Sequence, residues 1–185
     1  MSKRIMRLKL ILLDADVIIE AYRIGIWLDL IGRVQIAVPS IVAHDEALFY
    51  SEEEGRIPQQ INLPKLIQKG EICELMASDI EMGDLYSKFD RVFVEGLHEG
   101  EAEAIALIYA QKAEGYKFCT GDKVAIQSLA MIGYSSEGIS MEKLLSNVGL
   151  QKNLSHQFTE SYFKKWLGIG KKRLITGNGL SKSST

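Results

Sequence analysis

The run LKLILL at residues 8–13 is apolar along almost its whole length and is followed at once by a helical pattern. A strand of that character is covered on both faces, so it belongs inside a sheet with helices on each side. The motif recurs. VQIAV at residues 34–38 and YKFCT at 116–120 read as further short strands, each leading into a helical stretch. Short strands alternating with helices imply a largely parallel sheet joined by right-handed crossovers, an α/β architecture.

The helical segments follow from spacing and punctuation. DADVIIEAYRIGIWLDLIG places Val17, Ile18, Ala21 and Tyr22 on one face, then starts a second helix that stops before Gly32. PSIVAHDEALFYSEEE opens with Pro39 and Ser40 in helix-start positions and predicts a helix. GEAEAIALIYAQKAEG is Ala-rich and predicts a helix closed by Gly115, and GDKVAIQSLAMIG predicts one closed by Gly133. DIEMGDLYSKFDRVFVEG predicts a helix capped near Asp79, and MEKLLSNVG a short one. Residues 51–61 read as a polar loop, and INLPKLIQKGEICELMA fits strand or helix.

With 185 residues the chain suits one domain with a proper core, expected over residues 1–150. Its net charge of −2 is not that of a basic nucleic-acid binder, but the charge is unevenly spread. Residues 161–185 carry six basic side chains and no acidic one, which leaves −8 on residues 1–160. Residues 151–185 are therefore expected to be a basic, partly disordered extension, with ITGNGLSKSST as its tail. Those basic residues either touch phosphates or keep the end soluble. Cys73 and Cys119 match no metal or redox spacing and read as reduced, packed thiols. The basic, apolar opening breaks at Asp14 without a cleavage site, and no stretch is long enough to span a membrane. A cytoplasmic protein is expected.

In an open parallel sheet the ligand site lies at the carboxyl ends of the strands. Asp14 and Asp122 meet that condition, Asp16 follows Asp14 closely, and Asp45 follows the helix start PSIVAH, with Glu46 beside it. Glu101 opens its helix on the face of Ile105 and Ile108, where a carboxylate is costly without positive compensation. Glu103 shares a stripe with Ala110 and Glu114 and reads as an outer, solvated residue. Each acid also has an ordinary role open to it as a helix cap, a solvated helix residue or a favourable charge at a helix start. As a set they fit metal-assisted phosphodiester hydrolysis, because Mg²⁺ and Mn²⁺ take hard carboxylate oxygens and crowded carboxylates await a cation. His44, His98 and His156 have no ligand spacing, and no glycine-rich phosphate loop is present.

The stretches LILLDADVIIEAY, VPSIVAHDEAL, HEGEAEAIALIYA and FCTGDKVAIQSLAMIG resemble, in order, those of the PIN-domain family of metal-dependent ribonucleases, which includes VapC-type toxins. The resemblance covers roughly residues 8–140. It implies a three-layer α/β/α sandwich, a Mg²⁺ or Mn²⁺ site and cleavage of single-stranded RNA. It also implies frequent homodimers, and often a protein antitoxin covering the site. Carried over, the metal ligands and catalytic acids are Asp14, Asp45, Glu101 and Asp122, with Asp16, Glu46, Glu103 and Thr120 as secondary positions. The chain departs from the family pattern at Asp16, usually Asn, Ser or Thr; at Asp45, usually Glu; at Glu101, often Asp; and at Val124, often a further acid. Residues 50–66, a loop expected near the mouth of the site, are the candidate segment for base readout.

Two other functions remain open from the sequence. LLDADVI also resembles the opening of haloacid-dehalogenase-type phosphatases, in which Asp14 would be the nucleophile and Asp16 the general acid. The third reading is a non-catalytic PIN-like module that binds RNA or a protein.

Overall fold

The structure, a computed structural model, describes residues 9–53 and 55–182. Residues 1–8, residue 54 and residues 183–185 lie outside it, and with them the basic start and the end of the expected tail. Five strands, β1 (Leu10–Leu13), β2 (Gln35–Pro39), β5 (Cys73–Leu75), β6 (Tyr116–Cys119) and β7 (Gly138–Ile139), form one sheet in the order β5-β2-β1-β6-β7. Every pair in it is parallel. The strands β3 (Phe49–Tyr50) and β4 (Gln59–Gln60) form a separate antiparallel hairpin.

The continuous apolar character of β1 now has its physical reason. Ile11 and Leu13 point into one core with α1 (Ala15–Arg23), α2 (Trp27–Ile31), α3 (Leu63–Gln68) and α8 (Met141–Asn147). Leu12 points into a second core with α4 (Asp79–Tyr86), α5 (Arg91–Val94), α6 (Glu99–Tyr109) and α7 (Lys123–Met131). Alternate residues of one strand serve opposite layers, as the period of two requires. The result is the expected α/β/α sandwich.

Several local expectations are corrected. The helix expected at residues 39–54 is cut short: Pro39 ends β2, and Val42–Glu46 forms a single π-helical turn. That turn closes with Ala47 N donating to Val42 O at 3.0 Å, after which the chain enters the β3–β4 hairpin. The Ala-rich helix ends at Tyr109, well before Gly115, because Lys112 N and Ala113 N turn back onto Leu107 O at 2.9 and 3.1 Å. Cys119 is buried, but Cys73 on the edge strand is exposed and not packed.

The largest difference lies at the C-terminal end. Much of the segment expected to be partly disordered forms α9 (Glu160–Thr176), capped by the Thr159 hydroxyl and closed at Gly177, whose φ is +72°. It lies along α7 and sets Phe163 against Gly138 of the edge strand β7. Glycines permit the contact: a Cβ at Gly170 would meet Gln127 O at 2.6 Å, and one at Gly138 would meet Phe163 Cζ at 2.6 Å. Even Leu180, within the expected tail, forms a bridge with Phe89. Among the described residues no helix is long and apolar enough to cross a membrane.

Candidate active site at the carboxyl ends of the strands

Asp14 follows β1 and caps α1. It is 2% exposed, its Oδ1 accepts from Ala15 N at 2.7 Å, and its Oδ2 accepts from the Thr120 hydroxyl at 2.6 Å. Thr120 follows the adjacent strand β6, and its oxygen in turn accepts from Asp122 N at 3.0 Å. Asp122 caps α7, its Oδ1 taking the amides of Val124 and Ala125 at 2.6 and 3.0 Å. One hydroxyl thus ties together the acids that end two neighbouring strands. Capping and site formation coincide here, because the cap position directs each carboxylate to the strand-end surface.

Two further carboxylates face this pair. Glu101 is 3% exposed, and its Oε2 accepts from His98 N at 3.2 Å. Glu46, at the end of the π turn, accepts from Gly100 N at 3.0 Å, in the first turn of α6, where negative charge is favoured. Gly100 is required there, since a Cβ would collide with the Glu46 carboxylate and stand 2.8 Å from Val42 Cγ2. Burial, followed by the charges of Asp14 and Asp122, pushes the Glu101 carboxyl up to about 9. Burial raises Asp14 to about 7 despite the opposing Thr120 bond, with Asp16 and Glu46 adding to the rise. Partial burial, and then the charge of Asp122, raises Asp16, while His98 opposes the rise.

The sequence-predicted residues therefore divide. Asp14, Asp16, Glu101 and Asp122 come within electrostatic reach of one another, with Thr120 bridging two of them. Asp45 does not join them; it is exposed on the outer side of the π turn, and Glu46 takes the inward place. Glu103 is not a solvated outer residue. It is 2% exposed, and its carboxylate accepts from Ile41 N at 2.7 Å and Ala77 N at 3.1 Å, tying α6 to the segments after β2 and β5. His98 was passed over for want of ligand spacing, yet its Nδ1 stands 3.5 Å from Glu101 Oε1 at the rim. Its only signal in the sequence was its place three residues before Glu101, one helical turn away.

Among the described residues, no three His, Cys, Asp or Glu side chains stand close enough to hold one ion directly. The donor set still fits a hard divalent cation that keeps several waters and takes one or two carboxylates. The buried Asp14 and Glu101, raised by burial and mutual repulsion, are the groups whose ionisation such a charge would favour. Compared with protein-family models, curated proteins and solved structures, the chain matches none.

Proposed function

We propose that the chain is a Mg²⁺- or Mn²⁺-dependent endoribonuclease acting on single-stranded RNA, of the PIN-domain kind that its ordered acid motifs resemble. The observation that carries this reading is the link from Asp14 through Thr120 to Asp122, with the buried Glu101 and the amide-held Glu46 facing it. Asp14, Asp122, Glu46 and Glu101 are the residues that would hold the cation, directly or through its waters. When bound, a divalent ion lowers the pKa of its water and offsets charge on a phosphodiester. The protein's own part is to hold the acids in place. Thr120 fixes two of them, and Gly100 leaves room for Glu46.

The phosphatase reading is less well supported, because both Asp14 oxygens already accept hydrogen bonds and the chain passes directly into α1. A protein antitoxin, a homodimer and a cytoplasmic setting are extensions of the proposal.

The test is a cleavage assay on a single-stranded RNA with Mn²⁺ present or chelated. Wild type is expected to cut only with the ion, and Asp122→Asn to be inactive while still folded. Cleavage by Asp122→Asn at the wild-type rate would sink the reading. Failure of the wild type to bind Mn²⁺ would leave the non-catalytic module in its place.

A further inference from the structure

Beside the acidic site lies a surface of opposite character. The turn His156–Phe158 presses against the loop that carries Asp122: a Cβ at Gly121 would meet Phe158 Cε1 at 2.8 Å and Gln157 O at 3.3 Å. From there three rings follow one another along the start of α9. His156 and Tyr162 have centroids 5.3 Å apart at 82°, and Tyr162 and Trp166 6.0 Å apart at 61°. His156 is exposed, and Tyr162 and Trp166 are half-buried. Tyr162 lies close enough to Asp122 for that charge, after burial, to raise its phenol.

Cations flank the row. Lys123 Nζ and Lys165 Nζ stand 5.7 and 5.3 Å from the Trp166 ring centroid, and both lysines are exposed. Lys164 is committed elsewhere, to Glu160 at 3.4 Å. Beyond Trp166 the row opens into a cleft of about 430 Å³ lined by Lys123, Gln127, Trp166, Arg173 and Asp90. Aromatic rings spaced along a positively charged surface are what single-stranded nucleic acids bind: bases stack on the rings and cations take the phosphates. The charge asymmetry of the chain agrees, since residues 161–185 carry six basic groups and no acid.

We infer that Tyr162 and Trp166, with Lys123 and Lys165, form a binding track for single-stranded nucleic acid that leads a strand to the acids at Asp14 and Asp122. The inference rests on the nuclease reading for its direction, but binding is measurable without cleavage. A base stacked on Trp166 displaces one of its two lysines from the ring face, and that lysine is then free for the adjoining phosphate.

The experiment uses the full chain and a short fluorescein-labelled oligouridylate in EDTA, followed by anisotropy and tryptophan fluorescence. The chain has two tryptophans, and Trp27 is 3% exposed, so quenching on titration reports Trp166. Tyr162→Leu and Trp166→Leu are each expected to weaken binding roughly tenfold. Trp166→Phe, which keeps a stacking face, should retain most of the affinity and lose the quenching. Lys123→Ala and Lys165→Ala should each reduce the salt dependence of binding by about 0.7 in the log–log slope. Folded leucine variants that bind as wild type does would overturn the track. So would a wild type that gives neither signal, in EDTA or in Ca²⁺. If a leucine variant does not fold, the lysine slopes and the quenching decide. The two readings fail separately: binding without Mn²⁺-dependent cleavage removes the nuclease and leaves the track, whereas cleavage indifferent to Tyr162 and Trp166 removes the track alone.

Discussion

Glu101 and Glu103 stand two residues apart on α6, equally buried, and live in opposite circumstances. Glu103 is raised by burial and, less strongly, by Glu74 and Glu46, but the amides of Ile41 and Ala77 donate to it, oppose that rise and bind three segments together. Glu101 has a single amide, from His98, and looks onto Asp14, Asp122 and Asp16. A buried carboxylate supplied with donors is a structural device. One supplied with like charges is held protonated by burial and by its neighbours, and can ionise only where a positive charge compensates it.

The sharpest way to break this comparison is to remove each carboxylate. Glu103→Leu leaves two part-buried amides without partners and is expected to cost about 2 kcal/mol of stability, read as a shift in the denaturation midpoint. Glu101→Gln should do the opposite in the absence of metal, holding or raising stability at pH 8. If both variants lose equally, the distinction fails.

The pH dependence sharpens it. Asp14 and Glu101 have native values of about 7 and about 9, above their ordinary values of 3.8 and 4.5, so the folded state binds more protons than the unfolded state in between. Their contribution is therefore fully present below the ordinary values. It falls as pH rises towards the native ones and is lost above them. Without metal the Asp14 contribution alone should cost the wild type roughly 2–3 kcal/mol between pH 5 and pH 8, with Glu101 adding a loss in the same direction, and Asp14→Asn should remove the Asp14 part of that slope. Thermal melts at several pH values check it. Mn²⁺ should restore stability at pH 8 and release protons as it binds.

Gly100→Ala is expected to cost about 1–3 kcal/mol by overpacking against Val42 and Glu46, and to weaken Mn²⁺ binding with it, measured by calorimetry. The smallest effect belongs to Asp45→Asn, which should leave Mn²⁺ affinity unchanged because Asp45 faces solvent. A large loss there would return the inward place to Asp45.

The sequence was most legible where local rules and fold agreed. A short apolar strand, an acid and a helix pattern identified Asp14 and Asp122 together, because the strand end, the cap and the site are one position. The isoleucine spacing anticipated the burial of Glu101. It misled on Glu103 because α6 is buried from Gly100 to Ile108 and has no solvated stripe for an Ala-rich pattern to reveal. That Glu46 rather than Asp45 turns inward follows from a π turn, whose i→i+5 closure puts more residues in each turn and rotates successive side chains less than an α-helix would. α9 was missed because the whole of residues 151–185 was expected to be a basic, partly disordered extension, whereas its order comes from Phe163 and Gly170 fitting surfaces made by distant residues.

The bond between Asp14 and Thr120 spans 106 positions along the chain. As the polypeptide leaves the ribosome, β2 follows β1 closely, but the other neighbour of β1, β6, emerges only after α6. Until then Asp14 has neither Thr120 nor Asp122 beside it, and no shorter nascent fragment contains the assembled site. Strand order therefore acts as a clock, keeping Asp14 and Asp122 apart until β6 has been made and the central strand pair can close.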